Sequence, residues 1–153
     1  MQNPVVSIVL GSKSDEPKIQ KCLEALTAYN IPFETNIMSA HRTPKKVAAL
    51  ASGARARGIK VFIAAAGLAA ALPGTIAAHT TLPVIGIPLA AGVLNGTDAL
   101  YAIVQMPPGI PVATVGIDNG ANAAHLAAQI LAVENGEISR KIAEFRAGFG
   151  DDQ

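Results

Sequence analysis

The sequence predicts an α/β fold, a single doubly wound parallel sheet of about five strands lying between two layers of helices. Three observations predict it. Short, nearly continuous β-branched runs recur along the chain, amphipathic stretches of helical period separate them, and polar loops bearing Gly or Pro follow the runs. Runs that are apolar throughout, rather than alternating, belong to strands buried on both faces.

Val5 to Leu10 forms the first such run, and Gly11-Ser12-Lys13-Ser14-Asp15 breaks it. Ile19, Leu23 and Leu26 follow at helical spacing and predict a helix from about Glu16 to Tyr29. Pro32 to Met38 reads as the second strand and Ser39-Ala40-His41-Arg42-Thr43-Pro44 as the loop after it, with Thr43-Pro44 as the cap and first-turn pair of a second helix. That helix continues through Val47, Leu50 and Ala54 until Gly58. Lys60 to Ala66 supplies a third strand ended by Gly67, Pro73 to His79 a short helix, and Pro83 to Ile87 a fourth strand closed by Pro88. Asp98 to Gln105 reads as helix, Val112 to Ile117 as the fifth strand, and Asn119 to Val133 as an alanine-rich helix. In a last helix, Gly136 to Phe149, the apolar Ile138, Ile142, Phe145 and Phe149 are spaced by three or four. Its charged face (Glu137, Arg140, Lys141, Glu144) suits a surface element or a contact with a neighbouring subunit. No linker or repeat intervenes, so residues 1–153 read as one domain of flavodoxin-like or Rossmann-like character, with the strand order left open. In such sheets ligands bind beyond the carboxyl ends of the strands, near a topological switch point, and the polar loops fall there.

A chain of 153 residues can bury roughly 70% of its unfolded surface. Half of this one is hydrophobic and only 15% is charged, against about 25% in an average domain. That apolar excess predicts a homo-oligomer. A net charge of +1 sets up no field for nucleic acid or an anionic membrane, and two Tyr, four Phe and no Trp make no stacking platform for bases. Cys22 has no second cysteine to pair with and falls in an amphipathic stretch, as a buried apolar group would. Met1-Gln2-Asn3-Pro4 lacks the basic region of a signal peptide, and Val61 to Ala71 is too short to cross a bilayer, so a cytoplasmic location is expected. One Cys and three separated His show no metal-ligand spacing, and the P-loop, dinucleotide and serine-hydrolase motifs are all missing.

Three loops can carry chemistry. Gly11 to Asp15 opens a helix directly after a strand, so its backbone N–H groups and the hydroxyls of Ser12 and Ser14 offer a phosphate cradle, while Asp15 either meets a ribose hydroxyl or caps the helix. In the second loop, His41 can act as acid or base near neutrality, and the planar fork of Arg42 suits a phosphate or carboxylate; a plain surface His-Arg pair is the alternative. Ala66 to Gly74 is a run of small residues that lets a flat ring approach the backbone, or simply lets helices pack closely. His79 and His125 sit in alanine-rich helical stretches and read as structural or surface residues.

In order and spacing these segments resemble the N5-carboxyaminoimidazole ribonucleotide mutase family, also described as the catalytic unit of phosphoribosylaminoimidazole carboxylase. The resemblance runs through Gly-Ser-Lys-Ser-Asp (11–15), Ser-Ala-His-Arg-Thr-Pro (39–44), Ala-Gly and Leu-Pro-Gly (66–67, 72–74), Pro-Val-Ile-Gly-Ile-Pro (83–88) and Leu-Asn-Gly-x-Asp-Ala-Leu (94–100). It continues through residues 103–115 and 122–131. It implies a flavodoxin-like fold, an octamer, and a step of purine biosynthesis that uses no metal, nucleoside triphosphate or organic cofactor. In that step the carboxylate on the exocyclic nitrogen leaves as CO2 and re-adds at C4. It further implies His41 as the proton shuttle, Ser12 and Asp15 on ribose and phosphate with Ser14 in the same loop, Arg42 on the phosphate, and Ser39, Ala40, Gly67 and Leu72 along the pocket wall. Ala69, Ala70 and Ala71 would keep that pocket dry.

The chain departs from the family pattern Ala-Gly-Gly-Ala-Ala-His-Leu-Pro-Gly twice, with Leu68 for the second Gly and Ala71 for the His. It also ends soon after Phe149, earlier than many similar sequences. A related branch, which takes free CO2 and aminoimidazole ribonucleotide, carries Lys after the loop His; Arg42 favours the mutase branch. A CO2-dependent carboxylase and a flavodoxin-like nucleotide-binding module are the competing readings. The second would want a flavin-stacking aromatic in the loops, which hold none.

Overall fold

The computed structural model describes residues 2–150; Met1, part of the N-terminal reading, and residues 151–153 lie outside it. Five strands, all parallel, form one sheet: β1 (Val6–Leu10), β2 (Phe33–Ile37), β3 (Val61–Gly67), β4 (Val84–Leu89) and β5 (Ala113–Thr114). Their order is β2-β1-β3-β4-β5, that of the flavodoxin-like folds. The helices are α1 (Gln20–Ala28), α2 (Pro44–Gly53), α3 (Leu72–Ala78), α4 (Thr97–Val104), α5 (Gly120–Ala132) and α6 (Gly136–Ala147). No helix among the described residues is long and apolar enough to cross a membrane.

Strand alternation divides the core into two. Val6, Ile8 and Leu10 of β1, with Val61, Ile63 and Ala65 of β3 and Ile85, Ile87 and Leu89 of β4, meet α1 and α5. Val9, Phe62, Ala64 and Val84 point the other way and meet Val47 and Ala51 of α2, Ile76 of α3 and Ile103 of α4. In α5, Ala123, Ala124, Ala127 and Ala128 are fully buried, small enough for the helix to lie close to the sheet. On the other face Gly86 admits α4, because a methyl there would run into Ile103 Cγ2 and stand 3.1 Å from Val112 Cγ1. Cys22 is buried, and burial pushes its thiol up to about 12.

The edge strand β2 is tied down by a polar network. Ser7, fully buried, donates from Oγ to Glu34 Oε1 at 2.8 Å, and Asn36 donates to the same oxygen at 3.1 Å. Arg57 closes a two-pronged pair on Glu34 at 2.8 and 3.0 Å. Charge on an edge strand also discourages pairing with another sheet.

Four sequence expectations need correction. The first helix opens earlier than Glu16, as a 3-10 helix over Lys13–Ile19 with Pro17 inside it, and takes α-helical register only from Gln20; proline lacks the N–H that the α ladder needs. Thr43 stands at the N-cap of α2 with Pro44 in its first turn, but its hydroxyl gives the helix no capping bond, because Oγ1 donates to the Ser39 carbonyl and accepts from the Ser39 N–H, both at 3.1 Å. Pro88 lies within β4 rather than closing it. The β3 ladder takes the N–H groups on either side of it, so the proline nitrogen faces β5, which stops at Thr114. The fifth strand is accordingly two residues, not six; beyond it the Val115 N–H reaches Gly86 at 3.2 Å, and the chain then bends through Asp118 at φ 56.

Candidate active site

The chain runs from β1 outward to β2 and back across β1 to β3, so the strand order reverses between β1 and β3. At the carboxyl ends of these strands a cleft of about 410 Å3 opens. It is lined by Ser12, Ser14 and Asp15 after β1, by Ser39, Ala40, His41 and Arg42 after β2, and by Gly67 through Leu72 after β3. All nine residues singled out from the sequence line it. Ala91, after β4, lines it too and was not foreseen. The signal was available, since Ala91 follows the carboxyl end of a buried strand. Larger hollows lie elsewhere, of about 680 Å3 around Ile31 and Ile138, about 580 Å3 around His125 and Phe145, and about 450 Å3 around Pro17 and Leu23.

Each loop is held by its own short bonds. Ser12 begins the 3-10 helix, its Oγ accepting from the Ser14 N–H at 3.3 Å and lying 2.9 Å from Ser14 Oγ. Burial pushes the Asp15 carboxyl above the usual carboxylate range, while Lys18 and a backbone bond from Ser12 pull it back. Around the second loop, Ser39 is the hub. Its Oγ accepts from the Arg42 N–H at 3.1 Å and its carbonyl from the Thr43 N–H at 2.8 Å. That turn presents His41 and Arg42, both exposed, at the mouth of the cleft. Helix α2 starts two residues beyond Arg42, at Pro44, so its partial positive end adds to the guanidinium in favouring an anion. In the third loop, Leu68 and Ala70 take positive φ, 54° and 40°. The alanines do not make a closed pocket by themselves: Ala70 is buried, Ala71 half-buried and Ala69 exposed.

The other two histidines stand apart. His79 ends α3, exposed. The His125 ring packs on Tyr29 and Phe145, with Nδ1 2.8 Å from the Tyr29 hydroxyl, and burial, aided by Arg146, holds it below the usual histidine value. Among the described residues no group of three or more His, Cys, Asp or Glu side chains converges as metal ligands would.

Residues 5–151 match the family model described as AIR carboxylase. The chain belongs to the AIR carboxylase family. Within that family it is 50% identical over 143 residues to the N5-carboxyaminoimidazole ribonucleotide mutase of Pyrococcus abyssi, a match covering 94% of this chain and 82% of that protein. To the phosphoribosylaminoimidazole carboxylase of Saccharomyces cerevisiae it is 48% identical over 145 residues, 95% of this chain but 25% of that much longer protein. The crystal structure of Treponema denticola PurE superposes with a TM-score of 0.86 at 30% identity, covering 95% of this chain and 90% of that one. This AIR carboxylase family member therefore shares both fold and sequence with enzymes of purine biosynthesis, and the cleft at the β1–β3 switch point lies where such sheets bind ligands.

Proposed function

We propose that this protein converts N5-carboxyaminoimidazole ribonucleotide to 4-carboxy-5-aminoimidazole ribonucleotide, with His41 as the general acid and base. The observation that carries the reading is the convergence, in one cleft, of an acid–base histidine, an arginine and a hydroxyl-rich helix start from three separate loops. The relatives named as mutases, which this chain nearly spans, support it further. In the reaction the N–carboxyl bond breaks, the electron pair returns to the exocyclic nitrogen, and that nitrogen takes a proton. C4 then attacks the released CO2 and must lose its own proton. One residue that gives and then takes a proton serves both needs, and among the side chains lining the cleft the imidazole of His41 is the group whose chemistry allows both.

Arg42, with Ser12, Ser14 and the backbone N–H groups around them, would hold the phosphate, and Asp15 a ribose hydroxyl. Ser39, Ala40, Gly67 and Leu72 form the walls. No cofactor enters this scheme. Retaining CO2 calls for a closed pocket, yet His41 and Ala69 are exposed in the single chain. Beside the mouth, Leu68, Val93 and Leu94 expose apolar side chains. We read a second copy of this chain as the missing cover, within an octamer working in the cytoplasm.

Two experiments test the proposal. Freshly made N5-carboxyaminoimidazole ribonucleotide should give the C4-carboxylated product at low bicarbonate; product only from aminoimidazole ribonucleotide, rising with dissolved CO2, would assign the protein to the carboxylase branch instead. Substituting His41→Asn should lower the rate at least about 10²-fold, the usual contribution of a positioned acid–base group, with ribonucleotide binding retained. A variant that keeps a tenth of the rate would remove His41 from the mechanism.

A further inference from the structure

The wall that follows β4 is gripped by two side chains that the proposed chemistry leaves unused. Ala91 lines the cleft, and its neighbour Ala90 has both main-chain groups tied to other segments. The Lys18 ammonium donates to the Ala90 carbonyl, and the Ala90 N–H donates to Asp118 Oδ1 at 2.9 Å. Lys18 stands on the 3-10 helix that opens from the first loop, one turn beyond Asp15, so its bond couples the first and fourth walls of the cleft. Asp118 comes from the loop before α5, and its own N–H donates to the Pro88 carbonyl at 2.9 Å. Backbone and side chain together thus prolong the β4–β5 ladder past Thr114. Asp118 does this at φ 56, a left-handed conformation that Asp and Asn bear more readily than other non-glycine residues.

On its other side the held segment meets the third loop. A methyl on Gly67 would stand 3.1 Å from Ala91 Cβ, and one on Gly92, at φ 64, would stand 2.8 Å from Leu68 Cδ2. Residues 90–92 therefore fit against 67–68 without slack, and their place above the sheet is set by Lys18 and Asp118. Neither of those side chains is among the residues lining the cleft.

We propose that Lys18 and Asp118 are positioning residues: by fixing Ala90 they hold Ala91 and Gly92 against Gly67 and Leu68 and keep that side of the cleft closed to CO2 while the carboxyl group is in transit. The inference rests on the mutase reading. Between loss of CO2 from nitrogen and its capture by C4, two products compete. Recapture gives the C4-carboxylated ribonucleotide. Escape of CO2 leaves the free amine, aminoimidazole ribonucleotide, one proton having been taken up by the nitrogen and nothing else consumed. A loosened wall raises the second at the expense of the first.

The test measures kcat, KM and the share of consumed N5-carboxyaminoimidazole ribonucleotide that emerges as aminoimidazole ribonucleotide, after subtracting spontaneous decarboxylation. K18M, K18R, D118A and D118N are compared with wild type. K18M and D118A should raise that share at least about threefold, since small misplacements around reacting groups are costly. K18R keeps a donor, and D118N keeps both an acceptor and a residue type suited to positive φ, so each should return most of the way to wild type. K18M retains the aliphatic stem and carries the test if D118A fails to fold. Folded K18M with wild-type partition, or D118N and D118A impaired alike, would overturn the positioning role and leave the mutase reading standing. A wild-type protein that turns over no N5-carboxyaminoimidazole ribonucleotide would overturn both.

Discussion

Leu68 and Ala70 hold left-handed backbone in a loop of the cleft, a conformation that costs a non-glycine residue roughly 1–2 kcal/mol. The family pattern that the sequence resembles would place glycine at the first of these positions, where the left-handed backbone gives a physical reason for it; here the strain is accepted and the leucine packs on Gly92. The sequence showed the departure; only the backbone shows what it costs. Glycines elsewhere make the same point through opposite signs. Gly86→Ala drives a methyl into Ile103 and Val112, and should lower stability by about 1–3 kcal/mol through overpacking. Gly53→Ala, at the end of α2 with nothing within 4 Å, should raise it by up to about 1 kcal/mol through the better helix propensity of alanine. Thermal and urea unfolding of the two variants check both, and equal shifts would contradict the packing described around Gly86.

Among the elements, β2 depends on charge more than on burial. Glu34 is held below the usual carboxylate range chiefly by the Arg57 hydrogen bonds, against the opposing effect of burial, with Ser7 and Asn36 contributing. A carboxyl whose folded pKa is depressed contributes stability above its unfolded value, about 4.3, and loses that contribution as pH falls through the lower folded value. Glu34→Gln should therefore be less stable than wild type at pH 7, with the gap narrowing as pH falls below the ordinary glutamate value and through the depressed folded one. Urea unfolding at a series of pH values measures this, and a gap constant with pH would place the effect outside ionisation. The elements legible in the sequence were those that a long hydrophobic run or period fixes, such as β1, β3 and α5. Illegible were the details decided by a partner elsewhere: Pro88 stays in its strand because β5 has already ended, and the Thr43 hydroxyl turns from the helix it starts to bond Ser39.

At the scale of the whole molecule, the site loops were legible because each follows a strand and carries polar groups that a buried connection would not. Their meeting was not, since no local pattern says that β2 and β3 flank β1. Nor were Ala91, Lys18 and Asp118, whose contacts exist only once the segments that follow β1, β4 and β5 meet. Val93 is fully exposed, and Tyr101 and Phe149 are each 61% exposed. This is apolar surface that an assembly would cover. Light scattering should give the mass of an octamer of 15.6 kDa chains, and specific activity should fall on dilution if a second copy closes the cleft; a monomer active at all concentrations would contradict that cover. The strand order has one more consequence, for how the protein is made. Every polar side chain lining the cleft precedes residue 73, whereas the far edge of β3, Phe62 to Ala66, waits for β4 to pair with it. At about 5–20 residues per second, a ribosome takes roughly one to three seconds to pass from Leu72 to Leu89. Over that interval every polar group of the proposed site has been made, while the edge of β3 that β4 will cover still lacks its partner and is open to wrong ones.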